Sequence, residues 1–184
     1  MNVYFDNAAT TKVRDEVIDN MSNVLKDCFG NPSSTHSYGR SAKSYIEISR
    51  KSIAKILNCD PREIIFNSGG TESDNSILKC AVNDLGVKHI ISSKIEHHAI
   101  THTLDELKLQ GVNVNYVKLS ENGNVDIDNL EYLLSSNDEP KLVTLMYINN
   151  EIGNILDVKY VSDLCQKYNS FFHTDAVQAV GHYK

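Results

Sequence analysis

The sequence lacks tryptophan, has three prolines and contains no long apolar run. No stretch approaches the roughly 18 apolar residues that a membrane-spanning helix needs, so a membrane protein is not expected. The N-terminus has neither the basic start nor the apolar run of a signal peptide, which predicts a cytoplasmic protein. Lys and Arg form no long run and the formal net charge is -6, so nucleic acid is not an expected partner.

The cysteines also exclude some classes of protein. Cys28, Cys59, Cys80 and Cys165 stand far apart and form no CxxC pair. This spacing favours reduced structural thiols over a disulfide framework or a zinc site. No metal site is expected.

A length of 184 residues with 41% hydrophobic content fits one globular domain with a real core. Short β-rich runs alternate with longer segments of helical period, which predicts an α/β fold with a mainly parallel sheet and helices on both faces. Strands are predicted at 63–68, 88–93, 113–119, 141–148 and 170–175. Helices are predicted at about 13–27, 41–57, 72–82, 99–110, 126–136 and 157–169, with turn chemistry at 29–40. The second helix carries an apolar face of Ile46, Ile53, Ile56 and Leu57.

Ligands of open α/β sheets collect at the carboxyl ends of the strands, and the first predicted strand leads into SGGTES at 68–73. The glycine pair allows a ligand to approach the backbone, and the start of the next helix favours an anion such as phosphate. The alternative is an ordinary helix start capped by Ser or Thr.

Two further strand ends carry polar groups. In Glu96-His97-His98-Ala99, one imidazole is suited to stack on an aromatic cofactor and to move protons near neutral pH. The alternative is that both histidines are surface residues with no such role. After the fourth strand, Asn149, Asn150 and Glu151 would either orient polar ligand groups or cap the next turn.

The fifth strand ends at Asp175. A buried acid there needs a cation or a donor, which a protonated pyridine nitrogen would supply; the alternative is that it caps the following turn. A phosphate cup, a stacking imidazole, an amide cluster and a lone carboxylate at neighbouring strand ends are together what pyridoxal 5'-phosphate requires.

Six ordered motifs resemble those of one family. They are YFDNAATT (4–11), FGNPSS (29–34), DPREIIFNSGGTESDN (60–75), EHHA (96–99), NNEIG (149–153) and HTDAVQAVG (173–181). Together they resemble the cysteine desulfurases of the class V aminotransferase group, which are fold-type I pyridoxal-phosphate enzymes. The resemblance implies a substrate-entrance segment at 1–15 and, at 16–184, the first part of an incomplete large domain. It also implies that the first and fifth strands are not neighbours in the sheet.

The resemblance assigns roles residue by residue. His97 would be the catalytic residue that stacks on the cofactor ring, and Asp175 would pair with the ring nitrogen. Gly70 and Thr71 would hold the phosphate, and Asn150 and Gln178 would lie near the phenolic oxygen and the substrate. The substrate entrance would be lined by Asn7, Ala8 and Thr10.

The implied reaction converts L-cysteine to alanine and leaves a protein persulfide, which passes to a sulfur-acceptor scaffold protein. Members of this family are homodimers. The cofactor-anchoring lysine of the family lies well beyond the Asp-Ala-x-Gln motif, and Lys184 does not match it. We therefore expect a truncated or split product that a C-terminal segment completes.

Two other interpretations stay open. The first is an inactive domain that binds the cofactor or a partner without turnover. The second is a nucleotide-binding α/β domain, which ranks last because SGGTES lacks the GxGxxG spacing.

Overall fold

A computed structural model describes residues 1–183, and Lys184 lies outside the described residues. The chain divides into two compact units, residues 1–66 and the part from residue 67 onward. Among residues 1–183, none of the helices combines the length and the apolar composition that a membrane-spanning segment needs.

The first unit is helical. It contains α1 (Asp15–Asp27), α2 (Ser37–Leu57) and a short 3-10 helix (Pro61–Glu63). The prediction that 29–40 is all turn is wrong at its end, since α2 begins at Ser37. The Nδ1 atom of His36 accepts a hydrogen bond from the Gly39 backbone N–H (3.3 Å) and so caps α2.

The predicted apolar face of α2 is not buried in the structure. The buried positions of this helix are the small residues Gly39, Ala42 and Ala54. Its large apolar side chains are exposed, namely Ile46, Ile53, Ile56 and Leu57. Helical periodicity thus identified the apolar face of α2, but it could not show whether another part of the chain packs against that face.

The second unit has a parallel sheet in the order β2-β1-β3-β4. Its strands are β1 (His89–Ser92), β2 (Asn113–Tyr116), β3 (Lys141–Thr144) and β4 (Phe171–His173). Its helices are α3 (Gly70–Asn83), α4 (His98–Leu109), α5 (Ile127–Leu134) and α6 (Val158–Lys167).

Helices cover both faces of this sheet. Successive strand residues point to opposite faces, and Ile90 and Ile91 of β1 accordingly lie in different core clusters. Ile90 packs with apolar residues of α3 and α4, and Ile91 packs with those of α5 and α6. The predicted α/β class, with helices on both faces of a parallel sheet, is confirmed.

The predicted strand at 63–68 is wrong. Its first residue ends the 3-10 helix, and although Ile64 has an extended backbone, the segment that follows is no strand. A strand needs a hydrogen-bonded neighbour, and the sheet of the described residues is built from the other four runs. Local β propensity at Ile64, Ile65 and Phe66 cannot provide that neighbour.

The cysteine prediction holds in most respects. All four cysteines are free, and Cys165 is buried in the core. Cys80 is exposed on α3.

Candidate active site

The carboxyl ends of β1, β3 and β4 meet at one edge of the sheet, because the strands are parallel. The segments that follow them are tied together by hydrogen bonds. The Asn149 side chain donates to the Ile95 carbonyl (2.8 Å), and the Tyr147 N–H donates to the Asp175 carbonyl (2.9 Å). These bonds bring the segments of His97, Asn150 and Asp175 to a common edge.

The start of α3 lies open for an anion. Its N-cap is Gly69, at φ 153°, and no side chain of the described residues caps the helix. Ser68 instead donates its hydroxyl to Glu72 (2.5 Å), so the ordinary Ser or Thr cap is absent from this part of the chain. The first-turn N–H groups of a helix have no carbonyl partner in the preceding turn and attract negative charge.

Gly70 brings this helix start against the segment that follows β4. A Cβ atom added at Gly70 would lie 2.9 Å from Cγ2 of Val177, closer than real side chains approach. Val177 in turn donates its N–H to the Asp175 carboxylate (2.9 Å). The start of α3 at Gly69, Gly70 and Thr71, which we call the anion cup, is therefore adjacent to Asp175.

Asp175 is buried, with 7% of its surface exposed. Its Oδ1 accepts a hydrogen bond from the Val177 N–H. One oxygen of Asp175 therefore caps the following turn, as the alternative interpretation of this residue predicted.

His97 is the N-cap of α4, and its ring is exposed. Its Nδ1 accepts the Ala99 N–H (3.1 Å), so the neutral imidazole carries its proton on Nε2. The ring centroid of His98 lies 6.1 Å away. Capping fixes the ring of His97 while leaving Nε2 available.

The two asparagines after β3 differ in their surroundings. Asn149 is buried and holds the loop, because its Oδ1 accepts the N–H groups of Glu151 (2.9 Å) and Ile152 (3.0 Å). Asn150 is half-buried and donates to the Glu151 carboxylate (2.7 Å). Gln178 is half-buried in the segment after Asp175.

Two buried acids that were not predicted from the sequence lie beside Asp175. Burial, and then the charge of Asp175, raises the pKa of Asp74 to about 6. Burial raises the pKa of Glu96 to about 7, with smaller contributions from the charges of Asp175 and Asp74. Glu96 Oε1 accepts a hydrogen bond from Ser93 (2.6 Å), and its buried Oε2 has no partner among the described residues.

His173 completes this group. Its Nδ1 lies 2.9 Å from the Thr144 hydroxyl, and its Nε2 lies 3.6 Å from Oδ1 of Asp74. Burial lowers the pKa of His173, and the charge of Asp175 opposes that effect. Strand alternation was the available signal, since positions 173 and 175 share one face.

The predicted substrate-entrance residues belong to the first unit. Asn7, Ala8 and Thr10 are exposed in a turn in which the Thr10 N–H donates to the Asp6 carbonyl (3.2 Å). The other predicted site residues all belong to the second unit.

A cavity of about 190 Å³ lies near the same edge of the sheet. Its walls include Ser93, Glu96, Met146 and Asn149, and they include none of the residues predicted to bind the cofactor.

The residues present fit a ligand with a phosphate and a cationic ring nitrogen. The start of α3 offers uncapped N–H groups, Gly70 allows Val177 to approach this helix start closely, and the buried Asp175 bonds the Val177 N–H. Pyridoxal 5'-phosphate has both features.

Comparisons with known proteins identify the family to which this chain is similar. The aminotransferase class-V family model matches residues 3–184. Cysteine desulfurase IscS of Clostridium botulinum (strain Kyoto / Type A2) is 42% identical over 98% of this chain and 45% of its own length. The chain therefore spans about half the length of the curated relatives it matches.

Solved structures show the same fold. A NifS-like protein has a TM-score of 0.93 and 40% identity, over 98% of this chain and 50% of its own. The structure of SspA in complex with cysteine has a TM-score of 0.89 and 32% identity, over 96% of this chain and 51% of its own. These structures confirm the predicted fold class.

Proposed function

The chain belongs to the class-V aminotransferase family, and from that premise we propose that it carries the cofactor-binding part of a cysteine desulfurase. A similar protein bears that name, and another similar protein was solved in complex with cysteine. In the proposed reaction the C–S bond of L-cysteine breaks, the sulfur joins an acceptor cysteine thiolate as a persulfide, and the carbon takes up a proton to give alanine.

One observation carries the proposal. The uncapped start of α3 and the buried Asp175 lie side by side, joined through Gly70 and Val177. The family is pyridoxal-phosphate dependent, and this cofactor, when bound, supplies the electron sink that cysteine cleavage requires. The N–H groups of Gly70 and Thr71 would bind its phosphate, and Asp175 would pair with its ring nitrogen.

The remaining site residues have positioning and proton-transfer roles in this proposal. His97 would stack on the ring and hold or move a proton at Nε2, because its Nδ1 is engaged by Ala99. Asn150 and Gln178 would orient polar groups of the cofactor and substrate. Asn7, Ala8 and Thr10 would line the substrate entrance.

The partners follow from the same chemistry. The persulfide would be handed to a sulfur-acceptor scaffold protein, and the chain would act in a homodimer or together with a C-terminal segment. Four free cysteines in the described residues support a reducing compartment, which we propose to be the cytoplasm.

A chimera tests this function. Residues 1–183 would replace the corresponding segment of the Clostridium botulinum cysteine desulfurase, whose remaining half is retained. We expect the chimera to form alanine from L-cysteine in the presence of pyridoxal 5'-phosphate. Asp175→Asn should lower kcat at least roughly a hundredfold, because a neutral amide stabilises a cationic ring nitrogen poorly.

The control is Asp105→Asn, which removes an exposed carboxylate of α4 and should leave alanine formation unchanged. A folded chimera that binds the cofactor and forms no alanine would contradict the proposed activity. Equal activity of the Asp175→Asn chimera would contradict the proposed role of Asp175.

A further inference from the structure

Asp74, His173 and Thr144 form a group close to Asp175. Asp74 comes from α3, Thr144 ends β3 and His173 ends β4. The Asp74 carboxylate is 3% exposed, and an unpaired acid buried to that extent is costly. His173 supplies its partner, and Thr144 fixes the opposite side of the imidazole.

His173 lies between a hydroxyl and a carboxylate. Its Nδ1 is 2.9 Å from the Thr144 hydroxyl, and its Nε2 is 3.6 Å from Oδ1 of Asp74, within ion-pair distance when the ring is protonated. His173 ends β4, Asp175 follows it by two residues, and the charge of Asp175 acts on the His173 ring. The pair therefore stands next to the carboxylate proposed to hold the cofactor ring.

We infer that Asp74 and His173 are positioning residues, a buried carboxylate–imidazole pair whose negative charge strengthens the hold of Asp175 on a cationic ring nitrogen. This inference rests on the proposed function, because it requires the ring of pyridoxal phosphate at Asp175. It assigns a role to two residues outside the predicted cofactor contacts.

Three titratable groups face Asp74. They are the imidazole of His173 and the carboxylates of Asp175 and Glu96. The pKa of Asp74 is raised to about 6, so above that pH the pair carries one negative charge and below it the charge is lost. A cation placed at Asp175 is attracted by that charge in a poorly solvated site.

The first part of the test needs no cofactor. The imidazole signals of His173 are followed by NMR from pH 5 to 8 in the full chain, with His173→Gln identifying them. Asp74→Asn keeps the size of the side chain and removes its charge. We expect it to lower the titration midpoint of His173 by about one pH unit. An unchanged midpoint would contradict the inferred interaction between Asp74 and His173.

The second part measures affinity for pyridoxamine 5'-phosphate, which carries an amine in place of the aldehyde and so does not react with surface lysines. Asp74→Asn should bind this probe about tenfold more weakly at pH 7.5, and the difference should vanish at pH 5. The titration of the probe itself is common to both proteins and cancels in the ratio. Asp105→Asn, the exposed control, should bind like wild type.

Inorganic phosphate separates the two proposals, because it occupies the anion cup and has no ring. Asp74→Asn should lose no affinity for phosphate. An equal loss for phosphate and the probe, or the same loss at pH 5 and 7.5, would overturn the inference alone. Absence of pyridoxamine 5'-phosphate binding to the wild-type chain would overturn the proposed function together with the inference.

Discussion

Position 70 has no room for a side chain, because a Cβ atom there would lie 2.9 Å from Cγ2 of Val177. We expect Gly70→Ala to weaken binding of pyridoxamine 5'-phosphate about tenfold, because the start of α3 must move away from its neighbour. Isothermal titration calorimetry would measure the affinity.

Two further variants test whether contact with Val177 causes the loss of affinity. Val177→Ala in the Gly70→Ala background removes the clash and should restore most of the affinity. Ser76→Ala, an exposed position in the same helix, should have no effect. A double variant as weak as Gly70→Ala would show that contact with Val177 is not the cause.

Asn149 is a structural residue rather than a ligand contact. It is 5% exposed, and its side chain bonds the Ile95 carbonyl and the N–H groups of Glu151 and Ile152. Asn149→Ala should lower the free energy of unfolding by about 2–4 kcal/mol, because buried backbone groups lose their partners.

Urea denaturation would measure this loss. Asn83→Ala, an exposed position at the end of α3, is the matched control and should change stability by less than about 0.5 kcal/mol. Equal stability of the two variants would show that the amide of Asn149 does not hold the loop.

At the residue scale, the burial expected of Asp175 is observed. The start of α3 at SGGTES has no side-chain cap, and its binding of an anion stays a prediction. The sequence did not reveal Asp74 or Glu96, because their burial depends on how α3 and the strand-end loops pack. The proposed roles of His97, Asn150 and Gln178 stay predictions.

At the scale of elements, helix α5 begins at a side-chain cap. Asp126 Oδ1 accepts the Asn129 N–H (2.9 Å), which satisfies a first-turn donor. Asp126→Ala should cost about 1 kcal/mol of stability. Asp128→Ala removes an exposed acid from the same first turn and should cost less, about 0.5 kcal/mol, since it loses only a favourable charge near the helix start. Thermal unfolding of both variants would rank them, and an equal or reversed order would contradict the capping role.

The helices could be located from the sequence because their signals are local. Apolar periodicity and caps such as Asp126 and Asp157 lie within a few residues of each helix start. Strands depend on distant partners, and this explains why the run at 63–68 was predicted as a strand and is not one. The early start of α2 escaped notice because His36 is an unusual N-cap.

At the scale of the whole molecule, Glu96 makes stability depend on pH. Its pKa of about 7 in the folded protein lies above the ordinary value of 4.5, so the folded state binds a proton at higher pH than the unfolded state. The stability from this proton is fully present below pH 4.5 and is lost as the pH rises through 7. Glu96→Gln should therefore be more stable than wild type at pH 8, on the order of 3 kcal/mol, and equal to it below pH 4.5.

Urea denaturation across that range would measure the difference. The lowered pKa of His173 acts in the opposite direction, removing stability as the pH falls, but it is common to both proteins and cancels in the comparison. Glu121→Gln, an exposed control, should follow wild type at every pH. Parallel pH profiles of wild type and Glu96→Gln would contradict this account of Glu96.

The global arrangement was partly predictable. Alternation of strands and helices indicated a parallel sheet covered on both faces, and the structure confirms it. The strand order β2-β1-β3-β4 could not be derived from local pattern, because pairing is decided by contacts between distant segments.

The central claim is that the carboxyl edge of this sheet binds pyridoxal phosphate. A crystal structure of the chain with pyridoxamine 5'-phosphate tests it most directly. We predict phosphate oxygens about 2.7–3.2 Å from the N–H groups of Gly70 and Thr71, and the ring nitrogen at the same distance from the Asp175 carboxylate. A ligand bound at another place, or a ring nitrogen turned away from Asp175, would contradict the account.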